Sequence, residues 1–147
     1  MDAQITDVSR VIQLAVAPVF LLTAIATLIN AMNTRLGRVV DRSRIVRERI
    51  RQSVTPEQKS EHEAELRILI QRSRLVYLGI LYSVLAALLV CLVIAGAFIG
   101  ALNAVDLAKT VAVIFILAMS SMVISLGMFL REVYLGVGAG GVRGPDR

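Results

Sequence analysis

One cysteine, one histidine and no tryptophan occur among the 147 residues. A lone Cys91 can close no intrachain disulfide and build no cysteine metal cluster. With His62 the sole imidazole, a histidine metal site lacks its second ligand as well. No G-x-S-x-G elbow, Walker phosphate loop or H-E-x-x-H helix is present, so the sequence predicts no enzyme, no bound metal and no cofactor. Aromatic residues make up 5% of the chain, and none lies between Phe20 and Tyr77.

Charge is missing over long stretches. Residues 11–34, 75–105 and 110–130 contain no Asp, Glu, Lys or Arg, and each run exceeds the roughly 18 apolar residues that mark a membrane-spanning helix. The chain is 56% hydrophobic, with a mean hydropathy of +0.73, too apolar for a soluble domain of this length. The expected fold is all-α: an integral membrane protein with three transmembrane helices and a cytoplasmic antiparallel helical hairpin between the first and second. Its expected parts are an extracytoplasmic segment 1–10, a first span 11–33, a basic hairpin 34–74, a second span 75–102, an extracytoplasmic loop 103–109, a third span 110–130 and a flexible Gly-rich cytoplasmic tail 131–147. The leading segment holds Asp2 and Asp7 against Arg10, where a cleaved leader would be basic, so the first run is expected to persist as a helix.

What the chain does have is arginine. Seven fall between Arg35 and Arg51, and eleven Lys or Arg residues lie between the first two runs. Only Arg10 precedes the first run, and Lys109 is the one basic residue in the 103–109 loop. By the positive-inside rule the hairpin and the C-terminus face the cytoplasm and the N-terminus lies outside. Tyr77, Tyr82 and Tyr134 all fall at ends that this threading puts near the cytoplasmic interface.

The sequence Ser53-Val-Thr-Pro-Glu-Gln58 stops one helix and starts another: Thr55 suits an N-cap, Pro56 the first helical position and Gln58 the third. Leu36, Val39, Val40, Val46 and Ile50 on the outgoing arm and Leu66, Leu69 and Val76 on the returning arm form apolar seams that should pack together. Arg44, Arg47 and Arg51 are expected to run beside Glu57, Glu61 and Glu65. Arg35, Arg38, Arg72 and Arg74, close to the membrane, are expected to lack nearby acids and to contact anionic lipid headgroups.

Two sharper readings of the arginines fail. A voltage sensor needs an insertable helix, and seven arginines at about 2.5–3.5 kcal/mol each make insertion too costly. A nucleic-acid surface lacks stacking aromatics, and acids are interspersed along the whole hairpin, so no nucleic-acid partner is expected.

Gln13, Thr23, Thr27, Asn30 and Thr34 share one face of the first helix at 100° per residue. Such a face either hydrogen-bonds to neighbouring helices or lines a water-filled path, and the second requires several copies around an axis. Pro18, on the opposite side, is a tolerated proline or a hinge. Gly96 and Gly100 form a G-x-x-x-G pattern, with Ala118, Ser121 and Ser125 at similar spacing in the third run; these pack helices within one subunit or between subunits.

The stretch Thr34-Arg-Leu-Gly-Arg-Val-Val-Asp-Arg-Ser-Arg44, preceded by Asn30 and Asn33 and followed by the basic hairpin and two further spans, resembles the bacterial membrane family called domain of unknown function 2721. That resemblance covers roughly residues 5–135. It implies a three-helix protein of the bacterial inner membrane and brings no activity, cofactor or site residues with it. The functional expectation is a homo-oligomeric small-ion pore or membrane-responsive assembly; the alternative is a non-catalytic scaffold or accessory subunit presenting its hairpin to a cytoplasmic protein partner.

Overall fold

The computed structural model describes residues 2–103 and 106–140. These form three helices: α1 (Asp2–Gln52), α2 (Pro56–Asn103) and α3 (Ala108–Gly140). All three are long and apolar enough to cross a membrane. α1 continues through Pro18.

The break between α1 and α2 follows the stop-and-restart chemistry. Ser53 closes α1 by donating its Oγ–H to the Arg49 carbonyl at 2.8 Å and its N–H to the Ile50 carbonyl at 3.4 Å. Thr55 caps α2, its Oγ1 accepting the Gln58 N–H at 3.4 Å, and Pro56 takes the first position, where a missing N–H costs nothing. At the start of α3 the Asp106 carboxylate accepts the Ala108 N–H at 3.1 Å.

The chain forms two compact units, Met1–Ile29 with Leu81–Ile124, and Asn30–Ile80 with Ser125–Arg147. In the first, Ile25, Ala86, Val90 and Ala118 are buried together, with Leu21, Leu22 and Met122 packed against them. Ala118 and Ser121 are small enough to bring α3 close to α2, where Ser121 donates its hydroxyl to the Tyr82 carbonyl at 2.8 Å. Farther along, a Cβ on Gly96 would stand 3.2 Å from Cγ2 of Val111, so the glycine is what allows that approach. Gly100 is half-buried. The outer surface of this unit is apolar, with Phe20, Leu88, Leu92, Val113, Ile116 and Val123 all exposed. Such an expanse on a protein surface marks contact with lipid or protein.

In the second unit, Val39, Val46 and Leu69 form a buried cluster flanked by Ile50 and Leu66, so the two arms meet along their apolar seams. Val76 and Met32 are also buried. α3 contributes Ser125, fully buried, whose hydroxyl donates to the Gly79 carbonyl at 2.8 Å.

Two expectations are corrected here. The segment 131–147, expected to be a flexible tail, continues α3 as far as Gly140, because Glu132 is a buried packing residue of the second unit; residues 141–147 lie outside the described part. Nor do Arg44, Arg47 and Arg51 run against the glutamates. It is Arg42 that reaches Glu65, with Nη2 at 2.8 Å and Nε at 3.1 Å from Oε1.

Changing Leu69 to Asp buries a charge against Val39 and Val46 and should destabilise the second unit by more than about 2 kcal/mol, whereas Arg49→Gln on the exposed side should cost under about 1 kcal/mol. Thermal melts in detergent that rank the two in the opposite order would show that the seam does not hold the arms together.

Candidate functional site: a carboxylate between two arginines

In the second unit, α3 carries Glu132, whose side chain is 1% exposed. An ionised carboxylate removed from water needs partners for its oxygens. Arg35 of α1 donates from Nη1 to Oε2 at 3.1 Å, and Arg72 of α2 donates from Nη2 to Oε1 at 2.7 Å. Each oxygen thus has its own guanidinium, and one residue of each helix meets at a single point. Charge-assisted bonds of this kind are about twice as strong as neutral ones.

The surroundings fit this arrangement. The Arg35 guanidinium lies over the Phe129 ring, 5.1 Å from its centroid, a cation–π contact with the residue one turn before Glu132. One turn after Glu132 comes Gly136. A Cβ there would fall 2.8 Å from Arg72 Nη2, so glycine leaves the space that the arginine occupies. Two positive charges against one negative leave the cluster with a net +1. Arg35 is 43% exposed and Arg72 is 20% exposed, and the Arg72 Nε–H is buried without a partner. The cluster is a three-way ionic tie with a residual positive charge on its open side.

Of the four arginines expected at lipid headgroups, Arg35 and Arg72 therefore do have an acid beside them, contrary to expectation, while Arg38 and Arg74 are exposed. Glu132 lies 60 residues from Arg72 and 97 from Arg35, beyond the reach of any local charge pattern. A signal was nevertheless present: Glu132, next to Arg131 at the end of a charge-free run, is costly to bury unless something answers it.

The polar residues of α1 are placed differently. In the first unit Gln13, Thr23 and Thr27 are exposed, as are Asn30 and Thr34 in the second. Thr23, Thr27 and Thr34 donate their hydroxyls to the carbonyls four residues earlier, at 3.4, 3.0 and 3.0 Å. Asn30 gives its backbone carbonyl to Thr34, and its side-chain amide bonds to no described residue. By contrast Ser121 and Ser125 spend their hydroxyls across helices. The small residues of α3 pack within the chain, and among the described residues the polar stripe of α1 bonds to no other helix.

Glu132→Ala leaves two guanidiniums facing each other without their acid and should destabilise the protein by about 3–5 kcal/mol. Replacing Arg35, Arg72 and Glu132 together with Met should recover most of that loss, since a well-packed apolar cluster often equals a buried ion pair. Gly136→Leu should behave as a partial loss by displacing Arg72. Detergent melts of the three variants check this; a triple variant less stable than Glu132→Ala would contradict it.

No curated protein and no solved structure matches the chain significantly. A family model matches residues 15–140, which takes in the polar end of α1, the basic arm, the Arg35–Glu132–Arg72 cluster and both later helices. The chain belongs to the family described as protein of unknown function, DUF2721.

Proposed function

We propose that the protein is a non-enzymatic, multi-pass protein of the bacterial inner membrane, N-terminus outside and C-terminus in the cytoplasm, that assembles from several copies with the polar faces of α1 turned toward a common axis. The assembly provides a path for a small ion. One observation carries this reading: Gln13 and Asn30 are exposed on a helix apolar enough to span the bilayer, and the Asn30 amide has no partner among the described residues. The threonines tolerate lipid because their hydroxyls are satisfied within the helix. The Asn30 carboxamide makes no such bond, unlike that of Asn103, which donates to the Ile99 carbonyl at 3.0 Å, and a hydrogen bond to another copy would contribute about 0.6–2 kcal/mol. Water along a shared axis would satisfy it equally well. Arg38 and Arg74 are free to hold anionic headgroups at the cytoplasmic surface, each worth about 1 kcal/mol.

The rival reading, an accessory subunit that presents its hairpin to a cytoplasmic partner, draws support from Val54, which is 92% exposed at the hairpin turn. The two differ in where substitution hurts. Asn30→Leu should lower both the mass of the detergent-solubilised complex and ion flux in liposomes, with Thr27→Val affecting flux alone. A monomeric wild-type protein without flux would overturn the assembly, and full activity of Asn30→Leu would remove the axis from α1.

A further inference from the structure

The Arg42–Glu65 bond fixes which flanks of the hairpin carry unanswered charge. On the returning arm Glu57, Glu61 and Glu65 repeat every four residues and so share the flank on which Arg42 arrives. On the outgoing arm Arg44, Arg47 and Arg51 lie about 140–200° around the helix from Arg42 at 100° per residue. They therefore occupy the opposite flank. Both sets are exposed except Glu65, which Arg42 holds. Among the described residues, Arg44, Arg47, Glu57 and Glu61 belong to no ion pair, and Arg51, 81% exposed, has only a long contact of 3.7 Å with Glu48 on its own arm. One hairpin thus presents a basic flank and, on its other side, an acidic one, and apart from the Arg51–Glu48 contact and Glu65 no described residue pairs with either.

The two flanks also match in level. Counting away from the Arg42–Glu65 bond along antiparallel arms, Glu61 stands level with Val46 and Glu57 with Ile50. Arg47 and Arg51 are each one residue from those levels, about 1.5 Å along the helix. In a ring whose copies are related by rotation about the hairpin's long direction, no copy is shifted along that direction. The Arg47 and Arg51 of one hairpin then meet the Glu61 and Glu57 of the next without any slip. Head-to-tail contact between two different patches is the kind of interface that closes rings.

We propose that the hairpins of adjacent copies dock side by side, the Arg44/Arg47/Arg51 flank of one against the Glu57/Glu61 flank of its neighbour, and that this contact sets the rotational order of the assembly. The inference rests on the self-assembly proposed above and adds to it the surface, the direction and the ionic character of the contact. Specificity follows from sign: basic meeting basic or acidic meeting acidic is repulsive, so only one order around the ring is favourable.

The test uses full-length protein in phosphatidylcholine bilayers, which carry no net lipid charge, with association followed by energy transfer between differently labelled copies. Arg44→Glu/Arg47→Glu makes both flanks acidic, and Glu57→Arg/Glu61→Arg makes both basic. Each variant alone should associate about tenfold or more weakly than wild type, whereas an equal mixture of the two should recover wild-type association, because acidic flanks then meet basic ones in alternation. Pairing restored only by mixing is intermolecular by construction. Wild-type association should also weaken between 0.05 and 1 M salt, where the screening length falls to about 3 Å, and this arm needs no variant to fold. Helical content by circular dichroism accompanies each variant. If wild type associates but neither charge reversal nor salt alters it, the hairpin contact is wrong and assembly through α1 stands. A basic flank that instead raises affinity for phosphatidylserine vesicles, with no rescue on mixing, assigns it to lipid headgroups and overturns the proposal. No association of wild type at any salt removes both.

Discussion

Burying the Glu132 carboxylate is affordable only because Arg35 and Arg72 come to it from two other helices, and the second unit is organised around that requirement. An isolated ion in a low-dielectric interior costs several kcal/mol, so the three residues stand or fall together. Their neighbours follow from it. Phe129 offers a ring face to one guanidinium and Gly136 leaves room for the other. α3 extends past its apolar run because the acid that ties it down sits beyond that run.

The same rule, that a polar group away from water must be satisfied, sorts the remaining polar residues. Ser121 and Ser125 are buried and answered by carbonyls of α2, which is how they glue helices within one chain. Threonines on α1 answer themselves. Asn30 does neither, and on the hairpin Arg44, Arg47, Glu57 and Glu61 likewise find no ion-pair partner among the described residues. Exposed charges in water cost little. An exposed carboxamide on an apolar helix is a different matter, and it is the reason for placing other copies of the chain around α1.

Much of the fold was legible in the sequence because it rests on local rules. Charge-free runs gave the long helices, Thr55-Pro56 gave the break, and the spacing of Val39, Val46 and Leu69 gave the seam. The Gly96 approach fits a short pattern, but its neighbour on the facing helix is Val111, and the small residues Ser121 and Ser125 meet Tyr82 and Gly79 instead. Tertiary pairing was harder. Seams at heptad-like spacing say that two helices meet but leave open which flank of each faces which, and it is Arg42, on the opposite flank from Arg44, that meets Glu65. Glu132 was counted with the tail because the charge-free run ends at Arg131, just before it, whereas the structure uses Glu132 as an anchor for residues 60 and 97 positions away.

The central claim is that the polar face of α1 meets other copies across water rather than lying against lipid. Single cysteines placed one at a time from position 20 to position 34, with Cys91 replaced by serine, report this through labelling by a small water-soluble thiol reagent in native membranes. The account predicts strong labelling at 23, 27, 30 and 34 and weak labelling between them, with the 3.6-residue period of one helix face. Uniform protection across the stretch, or a maximum on the opposite face near 25 and 32, would contradict it.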